Sequence, residues 1–206
     1  MSTSHPALDA AVNRFAQQPG VSPAQVAVLR ASLASDADLT RHLDSAATSG
    51  ALHGFAAAAP GAPDRPVGDY NQATGMVTLP ASAFSPSGTG SDLHAVLRVQ
   101  AMVVDYGGKS FADSGGAMHP VTPDMLTNLQ DTMNGSPILA AELKRAATAV
   151  DPLQPQHRVL ESFAFTAPGA GVGGSFNASS HTMNLVSDSL MTTPMAGGGT
   201  VTTYTT

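Results

Sequence analysis

Seven histidines and no cysteine set the terms of any chemistry this chain carries. Without thiols there is no disulfide framework, no thiolate zinc site and no cysteine nucleophile. His5, His42, His53, His94, His119, His157 and His181 never recur at metal-ligand spacing within one segment. A metal site would have to be assembled over long range, from His119, His157 and His181 with Asp113 or Glu161, and no metal or other cofactor is expected. His94 and Arg98 stand one helical turn apart in "HAVLR". They are binding candidates rather than a ligand pair, because a guanidinium stays protonated and cannot coordinate a metal. As a local matter, His94 near a helix start is expected to be exposed or bonded to its own neighbourhood. The serines at 85–91 and at 179–180 lack a nucleophile-elbow pattern and read as turns. "GAGVGG" at 169–174 has the glycines of a phosphate loop, but it lies between strand-like segments and has no lysine. "DYGGKSFADSGG" at 105–116 brings Asp, Lys and Ser into a glycine-rich stretch that reads as an interdomain linker.

Composition narrows the partners. Charged residues are 12% of the chain, the net charge is -6 and the nine Lys/Arg are scattered, so no basic stripe exists to hold nucleic acid or an anionic membrane. The longest apolar stretch, 93–104, is interrupted by His94, Arg98 and Gln100 and is too short to cross a bilayer, so no membrane insertion is expected. The first 18 residues carry neither a basic n-region nor an apolar h-region, so a cleavable signal peptide is not expected. Aromatics are 5%, with no Trp, and 20 Gly and 15 Pro punctuate the chain; the core is therefore built mainly from Ala, Val, Leu and Met.

The elements that must position these residues are written twice. "LHGFAAAAPGA" at 52–62 and "LESFAFTAPGA" at 160–170 agree at seven of eleven positions, a shift of 108. Upstream, "VSPAQVAVLRASL" at 21–33 aligns with "VTPDMLTNLQDTM" at 121–133, a shift of 100; the extra residues of the second stretch lie in "DPLQPQHR" at 151–158. Downstream, "VGDYNQATGMVTLPASAF" at 67–84 aligns with "GGSFNASSHTMNLVSDSL" at 173–190, a shift of 106. In each copy Ser22 or Thr122 is the expected N-cap, Pro23 or Pro123 the first helical residue, and Leu29/Leu33 or Leu129/Met133 the apolar face. A second helix follows, with Leu39/Leu43 and Leu139/Leu143 facing inward. Then come a short apolar segment and a β-hairpin around an Asn/Gly/Ser turn. The expected class is α+β: a tandem duplication of a helix–helix–β-hairpin unit with a small antiparallel sheet, at 1–108 and 109–206, joined by an apolar helix from Asp92 to about Tyr106.

The string of two helices, Gly68-x-Tyr70-Asn71, Met76, Leu79-Pro80, a polar linker and an apolar helix resembles a module of Xanthomonas-like secreted antibacterial effectors and polymorphic toxins. The second copy carries it as Phe176-Asn177, Met183 and Leu185. In such proteins the hairpin precedes a zincin helix with a His-Glu-x-x-His motif, where two imidazoles hold zinc and the glutamate is general base. This chain departs there: His94 matches the first histidine, but Ala95 replaces the glutamate and Arg98 the second histidine. The resemblance therefore implies a non-catalytic module of a secreted effector, for delivery, scaffolding or target binding, exported without a cleavable signal peptide or else cytoplasmic. Tyr70, Asn71, Phe176 and Asn177 join His94 and Arg98 as its candidate binding residues, and a secretion machine or an immunity protein is the implied partner. The alternative is a cell-wall or peptide-bond zinc hydrolase whose active site is hidden here or lies beyond residue 206.

Overall fold

The computed structural model describes residues 5–84, 91–112, 116–166, 174–186, 192–194 and 200–202. The chain opens with α1 (Pro6–Ala16), an amphipathic helix the repeat pattern did not announce, burying Leu8, Ala11, Val12 and Phe15. α2 (Pro23–Ala34) starts at a capping box, in which the Ser22 side chain takes the Gln25 N–H and the Gln25 side chain takes the Ser22 N–H. α3 (Ala37–Thr48) is capped by the Asp36 carboxylate. β1 (Gly54–Ala57), β2 (Asp69–Asn71) and β3 (Met76–Leu79) then form one sheet in the order β1-β3-β2.

After α4 (Ser91–Gly107) the plan recurs. α5 (Pro123–Gly135) and α6 (Pro137–Thr148) start at Thr122 and Ser136 caps with proline in the first turn. β6 (Ser162–Thr166), β7 (Gly174–Asn177) and β8 (Thr182–Val186) form a second sheet in the order β6-β8-β7. Even the pairing registers correspond. Phe55↔Val77 and Tyr70↔Val77 become Phe163↔Met183 and Phe176↔Met183 under the same 108 and 106 shifts that align the sequences. The molecule is α+β, and its two helix–helix–three-strand stretches, α2 to β3 and α5 to β8, share element order, sheet order and register.

Two expectations are corrected. Each sheet is mixed, not antiparallel: the apolar segment before the hairpin is itself a strand, running parallel to the hairpin's second strand. A short apolar run has no periodicity to distinguish it from loop, and only its pairing makes it a strand. The stretch after α4 is not a plain linker; β4 (Ser110–Ala112) pairs with β5 (Met118–Pro120). Asp113, the serines of 85–90 and the glycines of 169–173 lie outside the described residues. A last small pair joins β9 (Thr192–Pro194) to β10 (Thr200–Thr202).

α4 explains how the halves are held together. Leu93, Val96, Leu97, Val99, Val103 and Tyr106 are fully buried over half of the helix circumference, and Ala95, Ala101 and Met102 extend the burial until only the side of His94, Arg98 and Asp105 is left more open. Such a helix needs cover on nearly every side. It receives it from α2, α3, β2 and β3 on the first half and from α5, α6 and β6 on the second. Tyr106 closes its C-terminal end, stacked on Phe165 at 4.5 Å and edge-on to Phe163 at 6.3 Å. One connected hydrophobic core therefore runs from Leu8 to Phe163.

Candidate functional site

His94 and Arg98 do project from one face of α4, as their spacing requires, and both turn to one carboxylate, Asp36. His94 Nε2 donates to Asp36 Oδ2 at 2.8 Å, and Arg98 donates to the same oxygen through Nε at 2.8 Å and Nη2 at 2.6 Å. The other oxygen, Oδ1, accepts the Leu39 N–H at 3.0 Å and so caps α3. Arg158 of the second half lies 3.9 Å from Oδ2. His94 is thus neither exposed nor locally bonded; its partner lies 58 residues earlier in the chain, a pairing no local pattern encodes. Asp36 is almost wholly buried. Burial alone would raise its pKa, but the Leu39 N–H, His94 and Arg98 together outweigh that and hold the carboxyl well below the usual carboxylate range.

Arg98 and Arg158 of this node line a cleft of about 630 Å³ between the halves. One wall is α3, with Arg41 and His42; the floor is Arg98 and Met102 of α4; the other wall is 150–161, with His157, Arg158 and Glu161. The second wall comes from the residues by which the second half exceeds the first, "DPLQPQHR". It is held by Arg158 Nη1 donating to Thr148 O at 2.9 Å and by the Arg158 N–H donating to Glu161 Oε1 at 2.8 Å.

Behind that wall His157 and His181 stack at 4.8 Å, with rings 17° from parallel. His157 Nδ1 lies 3.1 Å from Glu161 Oε2, and His181 Nδ1 lies 3.6 Å from Asp151 Oδ2. His181 occupies the turn position that Gly75 holds in the first half. Gly75 has φ +63°, and its missing Cβ would meet His53 Cγ at 2.9 Å; His181 has φ +50°. It is 2% exposed, and its Nε2 is buried with no hydrogen-bond partner among the described residues. The backbone contact is retained: Glu161, at the position of His53, donates its N–H to His181 O at 2.8 Å as His53 does to Gly75 O at 2.7 Å. A histidine is thus forced into a left-handed turn, where ordinary side chains are strained. The sequence alignment paired His181 with Gly75, and that substitution was the signal available for this residue.

Of the residues considered for a long-range metal site, His157, His181 and Glu161 do come together, while His119 stands apart on β5 against the Phe111 ring at 5.7 Å. Stacked imidazoles present faces, not lone pairs, to each other. No group of three potential ligands gathers among the described residues.

The hairpin candidates divide. Tyr70 is buried, its hydroxyl donating to Ala51 O at 2.7 Å, and its ring belongs to the core. Asn71 Oδ1 accepts the Thr74 N–H at 3.1 Å, and Asn177 Oδ1 accepts the Ser179 N–H at 3.0 Å. Both asparagines shape their turns. Phe176, at Tyr70's place, is 48% exposed. No described helix is long and apolar enough to cross a membrane. Comparison of the chain with protein-family models, with curated proteins and with solved structures found no match.

Proposed function

We propose that this chain is a non-catalytic binding module of a secreted bacterial effector. One observation carries the non-catalytic part: where the resembling modules would hold zinc, His94 and Arg98 are spent on Asp36. A buried carboxylate shared by two cationic or donor side chains is a bracket between α3 and α4, and opening it for chemistry would leave a charge uncompensated inside the protein. Binding is left to surfaces: the cleft lined by Arg41, His42, Arg98 and Arg158, and the hairpin of the second half. A secretion machine or an immunity protein remains the partner class that the sequence resemblance implies.

The hydrolase reading draws on a separate observation, the His157–Glu161 pair on the cleft wall with strained His181 behind it. A carboxylate-oriented imidazole beside a cavity is the arrangement of a general base. Periplasmic expression of residues 1–206 separates the readings. A binding module leaves growth and the cell wall intact. Growth inhibition with wall or peptide cleavage, abolished by His157→Ala, would replace it with the hydrolase.

A further inference from the structure

The two sheets have four outer edges, and side chains of neighbouring segments bond to three of them. At β1, Arg14 Nε donates to His53 O at 2.9 Å and Gln18 Nε2 to Phe55 O at 2.6 Å. At β6, Lys109 Nζ donates to Phe163 O at 2.6 Å, the equivalent carbonyl. At β2 the closure is more complete. Gln130 of α5 accepts the Tyr70 N–H and donates to Tyr70 O at 3.0 Å. Asn134, one turn on, accepts the Val67 N–H at 3.0 Å and donates to Gly68 O at 3.0 Å. Each carboxamide offers one acceptor and a donor, so two of them at i and i+4 behave as a substitute strand.

The fourth edge, β7, has no such cover among the described residues. Phe176 stands in Tyr70's register, opposite Met183 as Tyr70 is opposite Val77, so its N–H and C=O point away from β8 as Tyr70's point away from β3. Its ring is 48% exposed where Tyr70 is 5% exposed. The stretch 174–186 contains no Asp, Glu, Lys or Arg. Charged side chains are the usual device for keeping an open edge from pairing, and this edge carries none.

We propose that the β7 edge, with Phe176, docks a helix of a partner protein that presents a carboxamide side chain in register with Phe176, as Gln130 is in register with Tyr70. This rests on the binding-module reading and names its partner's chemistry. The occupant is a helix because the register-equivalent edge in the first half is filled by one. A second copy of the chain cannot supply it, since α5 spends Gln130 and Asn134 on its own β2. The edge is uncharged, so recognition runs through hydrogen bonds and apolar cover and is insensitive to salt.

The probe is a helix-stapled, fluorescein-labelled peptide of residues 121–136, "VTPDMLTNLQDTMNGS", titrated against the full chain by fluorescence anisotropy. Saturable binding is expected, equal at about 50 and 500 mM salt. Phe176→Asp, or Ser175→Lys on the same exposed strand, should weaken it at least tenfold with an unchanged urea midpoint. Gln130→Leu in the peptide should weaken it about tenfold, as the loss of paired hydrogen bonds predicts. Absence of binding, equal binding by the Phe176→Asp chain, or equal binding by the leucine peptide overturns the proposal. So does dimerisation in sedimentation that Phe176→Asp abolishes, which would make the occupant a second copy pairing strand to strand. The periplasmic growth assay judges the non-catalytic reading separately, so either can fail alone.

Discussion

At the scale of single residues, Asp36 ties three separate parts of the chain together. It caps α3, bridges to α4 through His94 and Arg98, and draws Arg158 in from the second half. Asp36→Ala removes the partner of an almost buried guanidinium and should cost about 3 kcal/mol, read from urea unfolding at pH 7. The pH dependence follows from the depressed pKa. The unfolded carboxyl titrates near 4, the folded one lower, so the unfolded chain takes up the proton first and Asp36's contribution, full at neutral pH, declines as pH falls below about 4. The gap between wild type and Asp36→Ala should therefore narrow on acidification; a gap constant down to pH 3 would contradict the bracket. His181 offers a second test. His181→Gly and His181→Ala both lose the stacked ring, but only alanine keeps a Cβ at φ +50°. The glycine variant should be the more stable of the two by about 1 kcal/mol.

At the scale of elements, the informative contact is α5 lying along β2. A helix face normally meets a sheet edge poorly, because the strand's outward N–H and C=O groups want partners in register. Gln130 and Asn134 provide them, and both lie on the α5 face turned to the first half. Gln130→Leu keeps the volume but orphans the buried Tyr70 N–H and C=O, so it should cost about 2 kcal/mol. Amide hydrogen exchange at Tyr70 should accelerate correspondingly, while exchange in β8 stays as it was. In the alignment Gln130 falls opposite Arg30 and Asn134 opposite Ala34, so nothing in the repeat pointed to the ladder. It exists because α5 meets a neighbouring unit that α2 does not.

For the whole molecule, the question is whether the two halves fold as one. The sequence suggested units at 1–108 and 109–206, yet α4 buries apolar side chains into both, and Lys144 of α6 pairs with Asp92 of α4 at 2.7 Å. Deleting the second half would expose Val99, Val103 and Tyr106 together. Urea unfolding should accordingly show one transition, with circular dichroism and tyrosine fluorescence coinciding. Two separated transitions would mean the halves are independently stable.

The helix starts at Ser22 and Thr122 and the hairpin turns were legible in the amino acids, because caps, prolines and turn asparagines act within a few residues of themselves. The two alignment shifts even carried the strand registers, since a register is a spacing between paired segments. Tertiary structure alone decided where the polar side chains are spent. Asp36 meets His94 across 58 residues, Tyr70 meets Gln130 across 60, and His157 meets His181 only when an insertion and a turn fold together. Those partners are chosen by which surfaces helix packing brings into contact, and packing depends on the whole core at once. The same distinction separates Tyr70 from Phe176: one register, two similar rings, and opposite exposure, because α4 and α5 both pack against β2, and β7 has no such cover among the described residues.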